Sequence, residues 1–491
     1  MLKRAPNLAW VAFSAALIAV SRASSGQQFP GVILSTFVFA AVLTWLPRCR
    51  PLVETPLCPW NWALFVFSLQ LVWLPLLIAL DRPVSQVLPP LPSPVAINLA
   101  LVLSCLAFFI SCAVYSHLSK FEIVRPGAGY GTGDVREPTR DGSTRYGSAR
   151  WEAAAALLGI TGVFFSFGDI AGIIAYFNDP GFYRDYFSDA SSTGRGLAAV
   201  LLKPFLGFAV IMMWCKWLDL GREDSSWLRR ALPTILMFVG VVISFSFFSY
   251  NRGAFAVPLV AVAAVASARR DKLSWRIIAT AGVLVFALLP AYAVYRSGTE
   301  LGDTLLVQPD LPETLMDNVD VSDIVQMYGG APQYLGFLLE STHWGRDPHW
   351  GSVTVSSILS PLPVLGKSFR QQSGFALYNR LIYGTSEIAD QNVSFVGETF
   401  LDFHIVGVVA GYAMLGWILY RLQRAFGKAR SSFDRYIWQY LCIWICFMIF
   451  GSIGVTSQIL LYLCWPIYAF WCTRKWCTGS GDQEAPGIQG S

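Results

Sequence analysis

The stretch NVSFVGETFLDFHIVGVVAGYAMLGWILYRL, residues 392–422, decides what kind of molecule this is. After Asp402 and His404 its next charged side chain is Arg421. The apolar run between them is close to the about 20 residues that a helix needs to cross a bilayer core. A span is therefore predicted over about 393–420, running inward from the outer face. Glu398 and Asp402 stand four apart, the spacing that puts two side chains on one helix face. Gly407 and Gly411 are also four apart, which lets a neighbouring helix approach closely.

The rest of the chain reads the same way. Of its 491 residues 54% are hydrophobic and 14% charged, against about 25% charged in soluble domains. Apolar runs predict twelve spans, at about 7–21, 29–46, 60–80, 94–116, 151–167, 197–215, 231–249, 254–268, 275–295, 393–420, 436–454 and 456–471. The first also admits reading as a signal peptide, with LKR before it and SRASS after it. The expected fold is an all-α polytopic membrane protein. Residues 1–295 carry spans 1–9 with a cytoplasmic linker at 118–150, 296–392 form one large outer loop, 393–472 carry spans 10–12, and 473–491 are a cytoplasmic tail.

Lysine and arginine set the orientation, because cytoplasmic segments are enriched in both. With the N-terminus (MLKRA) inside, 25 of the 36 fall on inner segments, and every inner segment is basic. Both termini are then cytoplasmic. The net charge of +5 is a topology signal and does not point to nucleic acid. The ten cysteines fall mostly in spans or inner segments and imply no disulfide framework. The run GAGYGTG in the linker lacks the strand and helix that a phosphate loop needs. No acidic metal cluster stands out, so no metal and no cofactor are expected.

The outer face carries the candidate chemistry. Segment 296–392 is far longer than an ordinary connection. It contains DIVQMYGGAPQYLGFLLEST and SVTVSSILSPLPVLGKSFRQQ, apolar but broken by Gly and Pro. Such pieces lie along the interface or fold back into the protein, so an ordered cap is expected. Arg184, Arg195, Lys203, Arg252, Arg296, Arg346, Lys367, Arg370 and Arg380 all fall outside or at outer span ends. Cations there are costly and mark a pathway or a site, and guanidinium groups match phosphate oxygens in pairs. Arg252, in SFSFFSYNRGAFAVPLV (244–260), has no acid close in sequence. It is the first candidate for a lipid-linked diphosphate, followed by Arg296, Arg370, Arg380 and Lys367. The competing reading is that these side chains snorkel to headgroups or pair with nearby acids, which suits Arg184 and Arg346 beside Asp185 and Asp347. Two acids in the outer part of a span point to general-base or orienting work for Glu398 and Asp402, or to a structural ion pair with a cap arginine. His404 lies on another face and ranks below Glu398. Tyr183, Arg184 and His404 are acceptor-side candidates. The aromatic runs AYFNDPGFYRDYF and STHWGRDPHWG suit stacking on sugars, but an interfacial belt is the default reading for any single one of these rings.

The pair Arg252–Gly253, the long outer loop, and then GETFLDFHIVGVVAGYAMLG together resemble the bacterial O-antigen polymerase superfamily. More narrowly, they resemble the oligosaccharide repeat-unit polymerases (Wzy type), which are related to the O-antigen ligases. Glu398, the turn at 402–404, Gly407, Gly411 and Gly416 follow the family's spacing, with Asp402 and His404 where it shows Asn and Gly. The resemblance implies a glycosyltransferase of the bacterial inner membrane. It would move a glycan from undecaprenyl diphosphate to the non-reducing end of another lipid-linked repeat unit. It also implies membrane lipids, a flippase and a chain-length regulator of a polysaccharide export system as partners, and no nucleic acid. A ligase acting on a different acceptor and a lipid-linked oligosaccharide flippase stay open as alternatives.

Overall fold

The computed structural model of the chain describes residues 30–45, 55, 57–79, 92–123, 149–178, 194–220, 227–247, 252–269, 276–278, 280, 329–341, 347–363, 365–383, 393–429 and 431–479. Among these residues the regular structure is entirely helical. Helices run Pro30–Trp45, Pro59–Ser68, Leu74–Ala79, Pro94–Ile123, Arg150–Phe167, Ile170–Asn178, Gly194–Leu202, Pro204–Asp219, Trp227–Ser246 and Arg252–Ala268. After these come Ala331–Ser341, Ser352–Leu359, Gly366–Arg370, Gly374–Tyr383, Phe395–Lys428, Ser432–Phe450, Ile453–Ile459 and Trp465–Gly479. π-helical turns at Leu69–Trp73 and Leu460–Cys464 link their flanking helices. Pro59, Pro94 and Pro204 open their helices, the position where a missing N–H costs nothing.

Four helical stretches, Pro94–Lys120, Gly196–Asp219, Phe395–Lys428 (broken at Phe403–His404) and Ile453–Cys477, are long and apolar enough to cross a membrane. On this ground the chain is a membrane protein, all-helical among the described residues. The expected spans at 7–21 and, apart from 276–278 and 280, at 275–295 lie outside the described residues. So do Arg296, Tyr183, Arg184 and Arg346, most of the linker, and the end of the tail.

The chain divides into two compact units. The first gathers Met1–Ala128, Pro312–Lys428 and Leu441–Gln458. Its central helix, Pro94–Ile123, packs against Phe395–Lys428, Pro30–Trp45 and Ala331–Ser341. Trp60 stacks on Tyr115 with ring centres 3.7 Å apart, and Phe39 and Phe67 both meet Phe108. A Cβ at Gly416 would come within 2.6 Å of the Ser111 carbonyl, so only glycine permits this approach. There the Ser111 hydroxyl donates to the Tyr412 carbonyl at 3.0 Å.

The second unit comprises Gly129–Leu311, Ala429–Tyr440 and Ile459–Ser491. Helix Arg150–Phe167 packs on Gly194–Leu202 and Pro204–Asp219, and Trp227–Ser246 packs on Pro204–Asp219 and Arg252–Ala268. Gly159 and Gly162 bring the first of these helices into backbone contact with residues 202–206. The buried Asp219 carboxylate accepts from the Ser432 hydroxyl at 2.6 Å and its amide at 3.0 Å, and pairs with Arg269 at 3.0 Å.

Candidate functional site

The expected continuous span at 393–420 is not what forms. Phe403 (φ −142, ψ 20) and His404 (φ 52, ψ −138) leave helical geometry, and the chain reverses there. An unbroken helix would separate positions 395 and 412 by about 25 Å at 1.5 Å per residue. The rings of Phe395 and Tyr412 are instead 5.2 Å apart. A Cβ at Gly411 would meet the Phe395 ring at 3.0 Å, and one at Gly407 would overlap the Thr399 carbonyl. The two glycines thus admit the chain's own short arm, residues 395–402, and not a neighbouring helix as their spacing suggested. Glu398 and Asp402 stand on this short arm, and the crossing segment begins after it.

Both carboxylates are fully buried, and both sit at the start of another helix. Asp402 Oδ1 accepts from the Val353 amide at 3.0 Å and Oδ2 from the Thr354 amide at 2.8 Å. These are opening amides of Ser352–Leu359, whose N-cap residue is Gly351 and offers no side-chain cap. Asp402 supplies that cap from a remote part of the chain. Glu398 Oε1 accepts from the Ser357 hydroxyl at 2.8 Å, and Oε2 from the amide of Ile453, the first residue of Ile453–Ile459. Orphan N–H groups and the helix dipole both favour negative charge at these places. Ser357 Oγ in turn accepts from the Gly374 amide at 3.0 Å. A Cβ at Gly374 would lie 2.8 Å from the Glu398 carboxyl carbon, so glycine is required there for the close approach.

The reversal frees carbonyls that the 349–350 loop takes up. The His349 amide donates to Leu401 at 3.0 Å and the Trp350 amide to Asp402 at 3.1 Å. Trp350 and His404, both at φ 52, are the non-glycine residues with positive φ among those described. A bulky side chain in that region costs on the order of 1–3 kcal/mol and persists only where surrounding contacts enforce it.

Three candidate cations belong to the same unit. Lys367 and Arg370 lie on Gly366–Arg370, and Arg380 lies on Gly374–Tyr383. All three are exposed. Arg370 Nε donates to the Ser360 carbonyl at 3.3 Å, and Arg380 donates to the carbonyls of Gln371 and Ala376. Among the described residues none of the three pairs with a carboxylate. The two short helices meet at Ser373–Gly374, directly on Glu398. The structure thus brings Glu398, Asp402, Lys367, Arg370 and Arg380 into one unit.

Arg252 opens Arg252–Ala268 in the second unit, and its side chain lies outside the described residues. His404 is half-buried at the reversal, edge-on to Phe400 at 5.3 Å. Among the described residues no group of three His, Cys, Asp or Glu side chains gathers as metal ligands would.

Sequence reasoning missed Ser357, Gly374 and the helix starts at 353 and 453, which no local pattern marks. It counted Lys203 only as an outer cation. Lys203 is 4% exposed, in the turn between Gly194–Leu202 and Pro204–Asp219. Its ammonium donates to the Phe247 carbonyl at 3.5 Å and stands 5.9 Å from the centre of the Phe167 ring. The signal was a lone lysine inside an apolar run.

Comparison with protein-family models, with curated proteins and with solved structures found no match to this chain.

Proposed function

We propose that the chain is a membrane glycosyltransferase that polymerises lipid-linked oligosaccharide repeat units. On this reading it has twelve spans, both termini in the cytoplasm, and works at the outer face of a bacterial inner membrane. The donor is a glycan on undecaprenyl diphosphate. A hydroxyl at the non-reducing end of a second lipid-linked unit attacks the anomeric carbon. The new glycosidic C–O bond forms, the bond to the diphosphate breaks, and the hydroxyl proton passes to solvent or to the leaving group.

The observation that carries the reading is the cationic elbow. Lys367, Arg370 and Arg380 ride on two short helices whose junction, Ser373–Gly374, is seated on a buried carboxylate. Fixed cations that strengthen their contact as the diphosphate gains charge accelerate its departure. Each charge-assisted bond contributes about 1.5–3 kcal/mol. Arg252 and Arg296, in the second unit, are diphosphate candidates from the sequence alone. Both oxygens of Glu398 and both of Asp402 are already engaged, so the geometry favours positioning over proton abstraction for these acids. Glu398 holds the elbow and Asp402 holds helix Ser352–Leu359.

The test is transfer by the full-length protein in vesicles supplied with lipid-linked repeat units. Arg370→Gln with Arg380→Gln is expected to lower kcat/KM at least tenfold while the unfolding temperature stays within a few degrees of wild type. Unchanged transfer in this double variant would refute the elbow's role.

A further inference from the structure

We propose that Trp350 and Phe403, with Asp347 and His349 beside them, form a carbohydrate-stacking platform for one pyranose ring of the glycan. The ligand class rests on the glycosyltransferase reading, whereas the site rests on its own geometry. Trp350 is 77% exposed and Phe403 41%. Their rings meet edge to face, 6.2 Å apart at 80°, an arrangement that leaves a face of the indole open. The C–H groups of a sugar pack on such a face by dispersion and weak hydrogen bonding.

The loop is clamped. The His349 and Trp350 amides are bonded to the carbonyls of Leu401 and Asp402, and Ser352 donates back to His349 at 3.1 Å. Gly351 follows at φ 87, close under Phe403, where a Cβ would lie 3.3 Å from the ring. A tryptophan serving only as an interfacial anchor needs the right depth and no particular backbone. Here Trp350, itself in a disfavoured conformation, is bonded to Asp402 and packed on Phe403, directly before the positive-φ His404, and its ring is held outward. Asp347 and His349 are exposed in the same described stretch, 347–351. They supply an acceptor and a switchable donor or acceptor for sugar hydroxyls.

The experiment uses the full-length protein in nanodiscs. The probe is the soluble oligosaccharide released by mild acid from the host's lipid-linked repeat units, and binding is read by saturation-transfer NMR. Trp350→Ala is expected to weaken binding roughly threefold to tenfold. Trp350→Phe, which keeps a ring and guards against a folding artefact, is expected to lose less. Equal binding by wild type and Trp350→Ala overturns the platform, even if glycan transfer proceeds normally in both. A Trp350-dependent signal without any transfer by the wild type keeps the platform and sinks the transferase reading.

Discussion

Replacing Asp402 by alanine removes the acceptor for two buried amides at once. Val353 N–H and Thr354 N–H, at 3.0 and 2.8 Å from the carboxylate, would have no substitute, because the preceding cap residue is Gly351. Each stranded amide costs about 1–3 kcal/mol. Loss of the negative charge at a helix start adds about 0.3–2 kcal/mol. The expected destabilisation is about 2–8 kcal/mol, toward the upper end because no water reaches a fully buried site. Asp402→Asn keeps one carbonyl oxygen but turns an NH₂ toward the second amide, so it is expected to lose about half as much. The assay is equilibrium unfolding of the full chain in detergent micelles, with hydrogen exchange followed at positions 353–356. Faster exchange there should accompany the loss of stability. If Asp402→Ala unfolds within about 0.5 kcal/mol of wild type and the two amides keep their protection, the remote cap is not what holds this helix.

The other tests are simpler. Gly374→Ala places a methyl 2.8 Å from the Glu398 carboxyl carbon, so it is expected to destabilise by about 1–3 kcal/mol and to lower transfer more than Ser373→Ala does. A neutral Gly374→Ala in both assays would contradict the close approach. Lys203→Met removes the ammonium from the Phe247 carbonyl and is expected to cost about 1–2 kcal/mol. Hydrogen exchange over 244–247 reads this directly, and unaltered protection there would refute it. Burial pushes the Cys58 thiol up to about 12. A thiol with a raised value is almost wholly protonated at pH 8, and alkylation needs the thiolate. A membrane-impermeant maleimide should therefore leave Cys58 unlabelled and modify the exposed Cys472 and Cys477, from the cytoplasmic side only. Labelling of those two from the outer side would overturn the proposed orientation.

The helical segments were legible because apolar runs of bilayer length leave a helix few alternatives. Residues 94–116 and 197–215 illustrate this, and their helices extend to Ile123 and Asp219. The folding back of the outer segment was partly legible, from apolar stretches broken by Gly and Pro, and 331–383 does form short helices. The reversal at Phe403–His404 was not legible from the residues themselves, although the resemblance put a turn at 402–404. Neither residue is Gly or Pro, and TFLDFHIVG reads as uninterrupted helix. What makes the break is tertiary. Asp402 is drawn to the start of Ser352–Leu359, the freed carbonyls are taken by His349 and Trp350, and Gly407 and Gly411 leave room for the returning arm. The glycines were noticed, but their spacing is equally that of a helix–helix contact. Pairing Glu398 with Ser357 and Ile453 likewise depends on residues 41 and 55 positions away, a distance no local pattern bridges. Arg252, which the sequence placed first, is located only by its backbone at the start of Arg252–Ala268.

The most direct measurement is product length. The purified full-length protein is reconstituted with lipid-linked repeat units from its own host, as wild type and as Arg252→Ala, and the glycans are resolved on a gel. A ladder of increasing length that vanishes in the variant is the predicted result. A single transfer to a different acceptor lipid would replace the polymerase with a ligase. Repeat units that cross the bilayer unchanged, with no new glycosidic bond, would contradict the enzyme reading altogether.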